Sequence, residues 1–263
     1  MNRVRVVALL TCLGLTAPAA DAQIRPFAYS IATGTVDGTS DSRRSTAYYD
    51  AGYAERTGEP FGYDGVEQRF GFQGRLGHGL TVVARVGLGL DAQATRSTQE
   101  AEILKDVLGP SSRVQLALGV GGRREWSGDA TALGRVSLGW TAGRTLLCGN
   151  ARFEKPFSQD RDSIDVITTF GAMREVGGGL RVGIEAVGED LEGFWDETEA
   201  EGGAKLYAGP ALHWTEPQGR LWAAMGGGPI FYATRSGLTS PAPRELQAGG
   251  SGYTVRVSLG YVF

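Results

Sequence analysis

Twelve residues at the carboxy terminus constrain this chain more than any other segment. From Gly252 to Phe263, the residues Tyr253, Val255, Val257, Leu259, Tyr261 and Phe263 alternate with Thr254, Arg256, Ser258, Gly260 and Val262. A period of two puts the first set on one face of a strand and the second on the other. Alternation alone would also suit a soluble β-sandwich. Here the run is about ten residues long with an aromatic at each end, which suits a tilted strand crossing a bilayer with its rings at the two interfaces.

The same grammar recurs along the chain. Phe70, Phe72 and Leu76 alternate with Arg69, Gln73 and Arg75; past the turn Gly77-His78-Gly79, Leu80, Val82, Ala84, Val86, Leu88 and Leu90 alternate with Thr81, Arg85, Gly87, Gly89 and Asp91. Val114 to Val120, Val136 to Trp140 and Leu180 to Ala186 repeat it, with turn residues at 127–129, 142–144, 177–179 and 216–219. Counting such runs predicts strands at 26–36, 44–56, 65–76, 79–91, 112–125, 130–142, 145–156, 163–176, 179–190, 203–215, 219–232 and 252–263. The fold class expected is all-β: a transmembrane antiparallel up-and-down barrel of twelve strands, or ten if one pair is lost. Thr98 to Leu108 reads as a short helix, capped by Thr98 with Glu100 and Glu102 near its positive end. That leaves 92–111 as a long connection at the same end as the short turns near 143, 178 and 217, and puts the tight turn at 77–79 at the opposite end.

The final strand resembles that of bacterial outer-membrane β-barrel proteins, which typically ends in a carboxy-terminal Phe. The matching residues are Tyr253, Val255, Val257, Leu259, Tyr261 and Phe263. The resemblance implies a location in the bacterial outer membrane, contact with its lipid and lipopolysaccharide, and recognition of this strand by the barrel-assembly machinery. It covers about a dozen residues and points to a superfamily.

The amino terminus agrees with export. Arg3 and Arg5 precede an apolar segment from Val6 to Thr16, and Ala20-Asp21-Ala22 is a small-x-small cleavage site. Residues 1–22 are expected to be a cleaved signal peptide, and 23–263 the barrel. Removing the signal leaves Cys148 as the one cysteine, so no disulfide framework is expected. With 41 Gly in 263 residues, glycine is at about twice its usual ~7%. The absence of a Gly-X-Y period excludes collagen, and the 24 aromatic residues exclude a disordered chain. A pI near 5.6 argues against a nucleic-acid partner.

Chemistry, if any, belongs to the polar face. The lumen charges expected are Glu67, Arg69, Arg75, Arg85, Arg113, Arg135, Arg152, Glu154, Asp165, Arg181, Glu185 and Arg256. Charges turned into a narrow barrel pair with one another because an unpaired buried charge is costly. An excess of arginine would bias an open lumen toward anions. The chain is thus read as a structural barrel or narrow diffusion channel of unknown cargo. The alternatives are a porin-like transporter for small anionic solutes and an outer-membrane hydrolase. Eight carboxylates lie between Glu185 and Glu201 with no Lys or Arg from Val182 to Ala204. Of these, Glu189, Asp190, Glu192 and Asp196 are candidate ligands for a hard divalent cation, although their spacing lacks the alternation of an EF-hand and a solvated acidic loop is the simpler expectation. No catalytic residue and no cofactor are assigned: His78 sits in a turn and His213 at a strand end, neither in a Ser-His-acid pattern.

Overall fold

The computed structural model describes residues 45–54, 65–90, 95–108, 114–125, 130–157, 164–189, 191–196, 203–234 and 252–263. The expected strand at 26–36 and the signal peptide lie outside them. The described chain forms twelve strands: β1 (Ser45–Ala54), β2 (Gly65–Gly77), β3 (Leu80–Leu90), β4 (Thr95–Asp106), β5 (Val114–Glu125), β6 (Ala130–Ala142), β7 (Thr145–Pro156), β8 (Asp165–Gly177), β9 (Leu180–Glu189), β10 (Lys205–Thr215), β11 (Leu221–Tyr232) and β12 (Gly252–Val262). Each pairs antiparallel with its neighbours in sequence, and β1 pairs with β12, so the sheet closes into a barrel. Closure leaves no sheet edge, the condition for a sheet to cross lipid.

The count of twelve stands, but its members differ from expectation. Residues 95–106 are a strand between β3 and β5 and not a helix: Ala101 pairs with Ala84 on one side and Gly122 on the other. Gln99, Glu100, Ala101, Glu102 and Lys105 favour helix locally. A strand here satisfies two ladders at once, and that outweighs fractions of a kilocalorie of propensity. The change also removes the long 92–111 connection. The start of β1, the end of β12, the 78–79, 143–144, 178–179 and 216–220 turns and the 107–113 connection now share one end of the barrel, and the connections at 55–64, 91–94, 126–129, 157–164, 190–204 and 233–251 share the other. These are called the turn end and the loop end below. His78 and Gly79 have φ of 51° and 71°, the left-handed pair that a two-residue hairpin loop needs.

The alternation sorts side chains as expected. Phe70, Phe72, Trp140, Phe153, Tyr253 and Tyr261 are exposed on the outer face. Rings meet across strands at both ends: Tyr53 lies 6.3 Å from Tyr253 toward the loop end, while Phe263 lies 6.2 Å from Phe72 and 6.4 Å from Tyr261 toward the turn end. Phe263 and Ser45 exchange backbone hydrogen bonds of 2.9 and 3.1 Å, locking the last residue to the first strand. Interior glycines receive large side chains. The Tyr48 ring lies where a Gly71 side chain would be, and the Trp222 ring where a Gly260 side chain would be.

Candidate functional site

The interior is charged and mostly buried, and its best-defined feature is a brace of guanidinium and carboxylate groups along β3 to β7. Because β4 is a strand, Glu100 and Glu102 both point inward, where they are buried. Glu102 accepts from Arg135 Nε at 2.8 Å and from Arg85 Nη1 at 3.1 Å, and Arg135 Nη2 adds a second contact that makes its hold on Glu102 two-pronged. Glu100 is ion-paired with Arg85 and accepts from Arg152 Nη2 at 2.6 Å. Arg152 also reaches Glu154 at 2.8 Å, and Arg123 holds Glu154 at 2.7 and 3.0 Å. Arg85 Nε donates to Tyr48 Oη at 2.8 Å, tying the brace to β1. Bidentate, charge-assisted bonds of this kind are the strong ones.

Smaller pairs complete the interior. Arg69 meets Glu67 at 2.5 Å, Arg256 meets Asp50 at 3.4 Å, and Arg75 lies 3.7 Å from Asp106 nearer the turn end. Ser137, Asn150 and Thr169 form a hydrogen-bonded row across β6, β7 and β8, with lengths of 2.6 and 3.0 Å.

The expected lumen residues Glu67, Arg69, Arg85, Arg135, Arg152, Glu154, Asp165, Glu185 and Arg256 therefore occupy the interior, with Arg181 half-buried on the same face of β9 as Glu185. Arg113 and Asp91 lie outside the described residues. The sequence reading missed Tyr48, Asp50, Arg123, Glu100 and Glu102. The last two were readable, since Thr98, Glu100 and Glu102 alternate with Gln99, Ala101 and Ile103, but a cap-like Thr98 and the helix-forming composition masked the period of two. Arg123 shares the parity of Gly119 and Gly121, which the same strand turns inward.

The acidic segment is not one solvated loop. Glu185 and Glu189 sit on β9 and are buried. Glu192, in a single 3-10 turn at Leu191–Phe194, folds back so that its Oε2 accepts from Val166 N at 2.8 Å. Asp196 is exposed, and Asp190 lies outside the described residues. Among the described residues no three Asp, Glu, His or Cys side chains gather as metal ligands. His213 lies toward the turn end, stacked on Trp222 at 5.9 Å between ring centres.

The wall opposite the brace is built differently. Along β9 to β11, Gly183, Gly209 and Gly228 remain half-buried, while the side chains of the brace are at most 8% exposed. A side chain at Gly183 or Gly209 would run into the neighbouring backbone at Ala172 or Gly227, so close strand approach demands glycine there.

No protein-family model matches the sequence, and no curated protein matches it. Among solved structures, the chain is similar to a KdgM porin solved in complex with disordered oligogalacturonate: identity 12%, TM-score 0.55, covering 83% of this chain and 99% of the porin. It is also similar to the NanC porin at 8% identity and TM-score 0.59, covering 82% of this chain and 98% of that one. The chain has the fold of an outer-membrane β-barrel.

Proposed function

We propose that the barrel resides in the bacterial outer membrane and acts as a narrow diffusion channel whose bore runs beside the glycine-bearing wall of β9 to β11. The observation that carries this reading is the asymmetry of the interior. Long charged side chains fill the β3 to β7 side and are tied to one another, while the inward row of β9 to β11 is interrupted by Gly183, Gly209, Gly226 and Gly228 between larger side chains such as Tyr207, Trp222 and Ile230. A twelve-stranded barrel is wide enough to hold both a packed wall and a passage. The brace holds four guanidinium groups against three carboxylates, so its net charge is a single unit. Most of the arginine excess that suggested an anion preference is neutralised by Glu100 and Glu102.

Planar-bilayer recording tests the channel. Wild-type protein is expected to give small ohmic steps. Gly52→Trp should cut them by about half or more, by placing a ring in the lumen. A Cβ at Gly52 meets only ordinary contacts, 3.9 Å from Arg256 Cγ, and heat-modifiable migration checks that the variant folds. Wild-type protein that never conducts above the bare bilayer would sink the channel reading.

Recognition of the last strand by the assembly machinery is part of the same proposal. Deleting Phe263 removes its two hydrogen bonds with Ser45 and its ring from the aromatic belt. Folded barrel recovered from the outer membrane of expressing cells should fall to a minor fraction, while spontaneous folding into lipid vesicles continues. Equal loss in both settings would assign Phe263 to stability alone.

A further inference from the structure

The strands sort charge by face. Every strand carboxylate whose side chain is described lies in an inward register, whereas the charges described in outward registers have one sign only: Lys105, Arg124, Lys155 and Arg174. A cation on the outer face of a membrane barrel is costly at the midplane and nearly free at either interface, and all four stand toward strand ends. Lys105 and Arg174 lie toward the turn end, four strands apart, and Lys105 Nζ donates to the His78 carbonyl. Arg124 and Lys155 lie toward the loop end, each next to last in its strand. Only β6 separates these two. Arg124 is in register with Ala130 and Lys155 with Ala132, so small side chains fill the space between them. Two strand spacings and a two-residue offset put their Cα atoms about 12 Å apart. Both side chains are exposed, and neither has a hydrogen bond or ion pair among the described residues. Gln99, exposed on the same face, is in register with Arg124 on its other side. Phe153 and Phe157, also exposed, flank Lys155 along the chain as interfacial rings do.

We infer that Arg124 and Lys155 form a surface clamp for the phosphate groups of lipopolysaccharide in the leaflet at the loop end. The guanidinium offers a phosphate two parallel N–H donors and the ammonium adds a mobile point charge. Cations at a membrane surface gain by meeting anionic headgroups, and no inward carboxylate competes for these two. The longer connections of such barrels face the outside, where the leaflet is built of lipopolysaccharide. Its lipid A anchor carries phosphates at the two ends of a disaccharide, so two cations held this far apart can each meet one. A glycerophospholipid with a single phosphate satisfies only half of the pair. The clamp rests on the outer-membrane placement and extends it by naming the residues that hold the lipid.

Binding is read on purified full-length protein in nonionic detergent micelles by native mass spectrometry. That readout needs neither conduction nor a cellular location, so its failure is distinct from failure of the channel or of the membrane placement. The probes are diphosphorylated lipid A, lipid A stripped of phosphate, and phosphatidylglycerol. Wild type should retain diphosphorylated lipid A saturably and the other two about fivefold or more weakly. Arg124→Gln combined with Lys155→Gln should weaken lipid A binding by about tenfold or more, because both cations act at the headgroup. Lys105→Gln combined with Arg174→Gln removes the same charge at the turn end and should leave binding unchanged. Heat-modifiable migration on gels verifies that each variant is folded. If the loop-end double variant does not fold, Lys155→Gln alone, expected to lose about threefold, and the wild-type preference among the probes decide. Phosphatidylglycerol or dephosphorylated lipid A held as tightly as lipid A, equal loss in the turn-end variant, or undiminished binding by the folded loop-end variants would each overturn the clamp.

Discussion

Replacing Glu102 with Gln should destabilise the folded barrel by about 3–5 kcal/mol, the usual consequence of removing one partner from a buried ion pair. The carboxylate is fully enclosed and shared by Arg85 and Arg135. Its loss leaves Arg135 without its two-pronged acceptor and raises the net charge of the brace. Arg85 retains Glu100 and Tyr48, so the damage concentrates on Arg135. The readout is the urea midpoint for unfolding from lipid vesicles, monitored by heat-modifiable migration. Removing both partners, as in Glu102→Met with Arg135→Met, should recover much of the loss, because a matched apolar pair replaces an orphaned charge. A Glu102→Gln midpoint equal to wild type would show that the brace contributes nothing to stability. If the channel conducts, the same variant should shift its reversal potential toward anions, since the freed guanidinium faces the lumen.

Introducing proline at Ala101 should abolish closure altogether. Ala101 is central in β4, bonded into ladders with β3 and β5, and its side chain faces outward. Proline would remove a ladder hydrogen bond from the middle of a closed sheet, and on the proposed membrane placement no water can replace it. No heat-modifiable species should form, whereas Ala101→Thr, a good strand residue, should fold. A helix at Thr98 to Leu108 lying over the barrel mouth would predict the opposite, with Ala101→Pro disturbing about 3 kcal/mol of local structure and leaving the barrel intact. The native prolines do not contradict this expectation. Pro210 and Pro229 lie where the β10 to β11 pairing lapses between Tyr207 and Ala211, while each stays in register with its other neighbour, Ile184 of β9 and Tyr253 of β12.

What could be read from the sequence followed from how strongly each strand carries its own signal. β12 and the β2 to β3 hairpin announce themselves because large apolar residues recur at every second position, where the structure turns them to the outer face. β4 was hard to read for the same reason in reverse: its outer face offers Gln99, Ala101 and Lys105 around a single large apolar residue, Ile103, a set that suits a helix equally well. The polar face is harder still. Alternation reveals that Arg85, Arg135 and Arg152 point inward, but their shared partners come from β4, and that choice is a matter of register across four strands. Glu185 shows the limit most plainly, because its partners in register are glycines on other strands, at positions 171 and 209, and those become neighbours only in the folded sheet. The glycine excess was visible from composition, whereas its division between sockets for Tyr48 and Trp222 and gaps in the inward row of β9 to β11 was not.

The seam that closes the barrel also bears on when the fold can exist. Arg256 and Asp50 stand 206 positions apart in sequence, and Thr254 bonds the Tyr53 carbonyl across 201. Other neighbouring strands can zip as hairpins from local turns, but β1 can find its second partner only after the final residues have been made. Until then the chain carries two open edges, the configuration most prone to pairing with other chains. Contacts of such long range make folding slow, so this protein spends its unfinished life dependent on whatever shields those edges. The last dozen residues decide when that dependence ends.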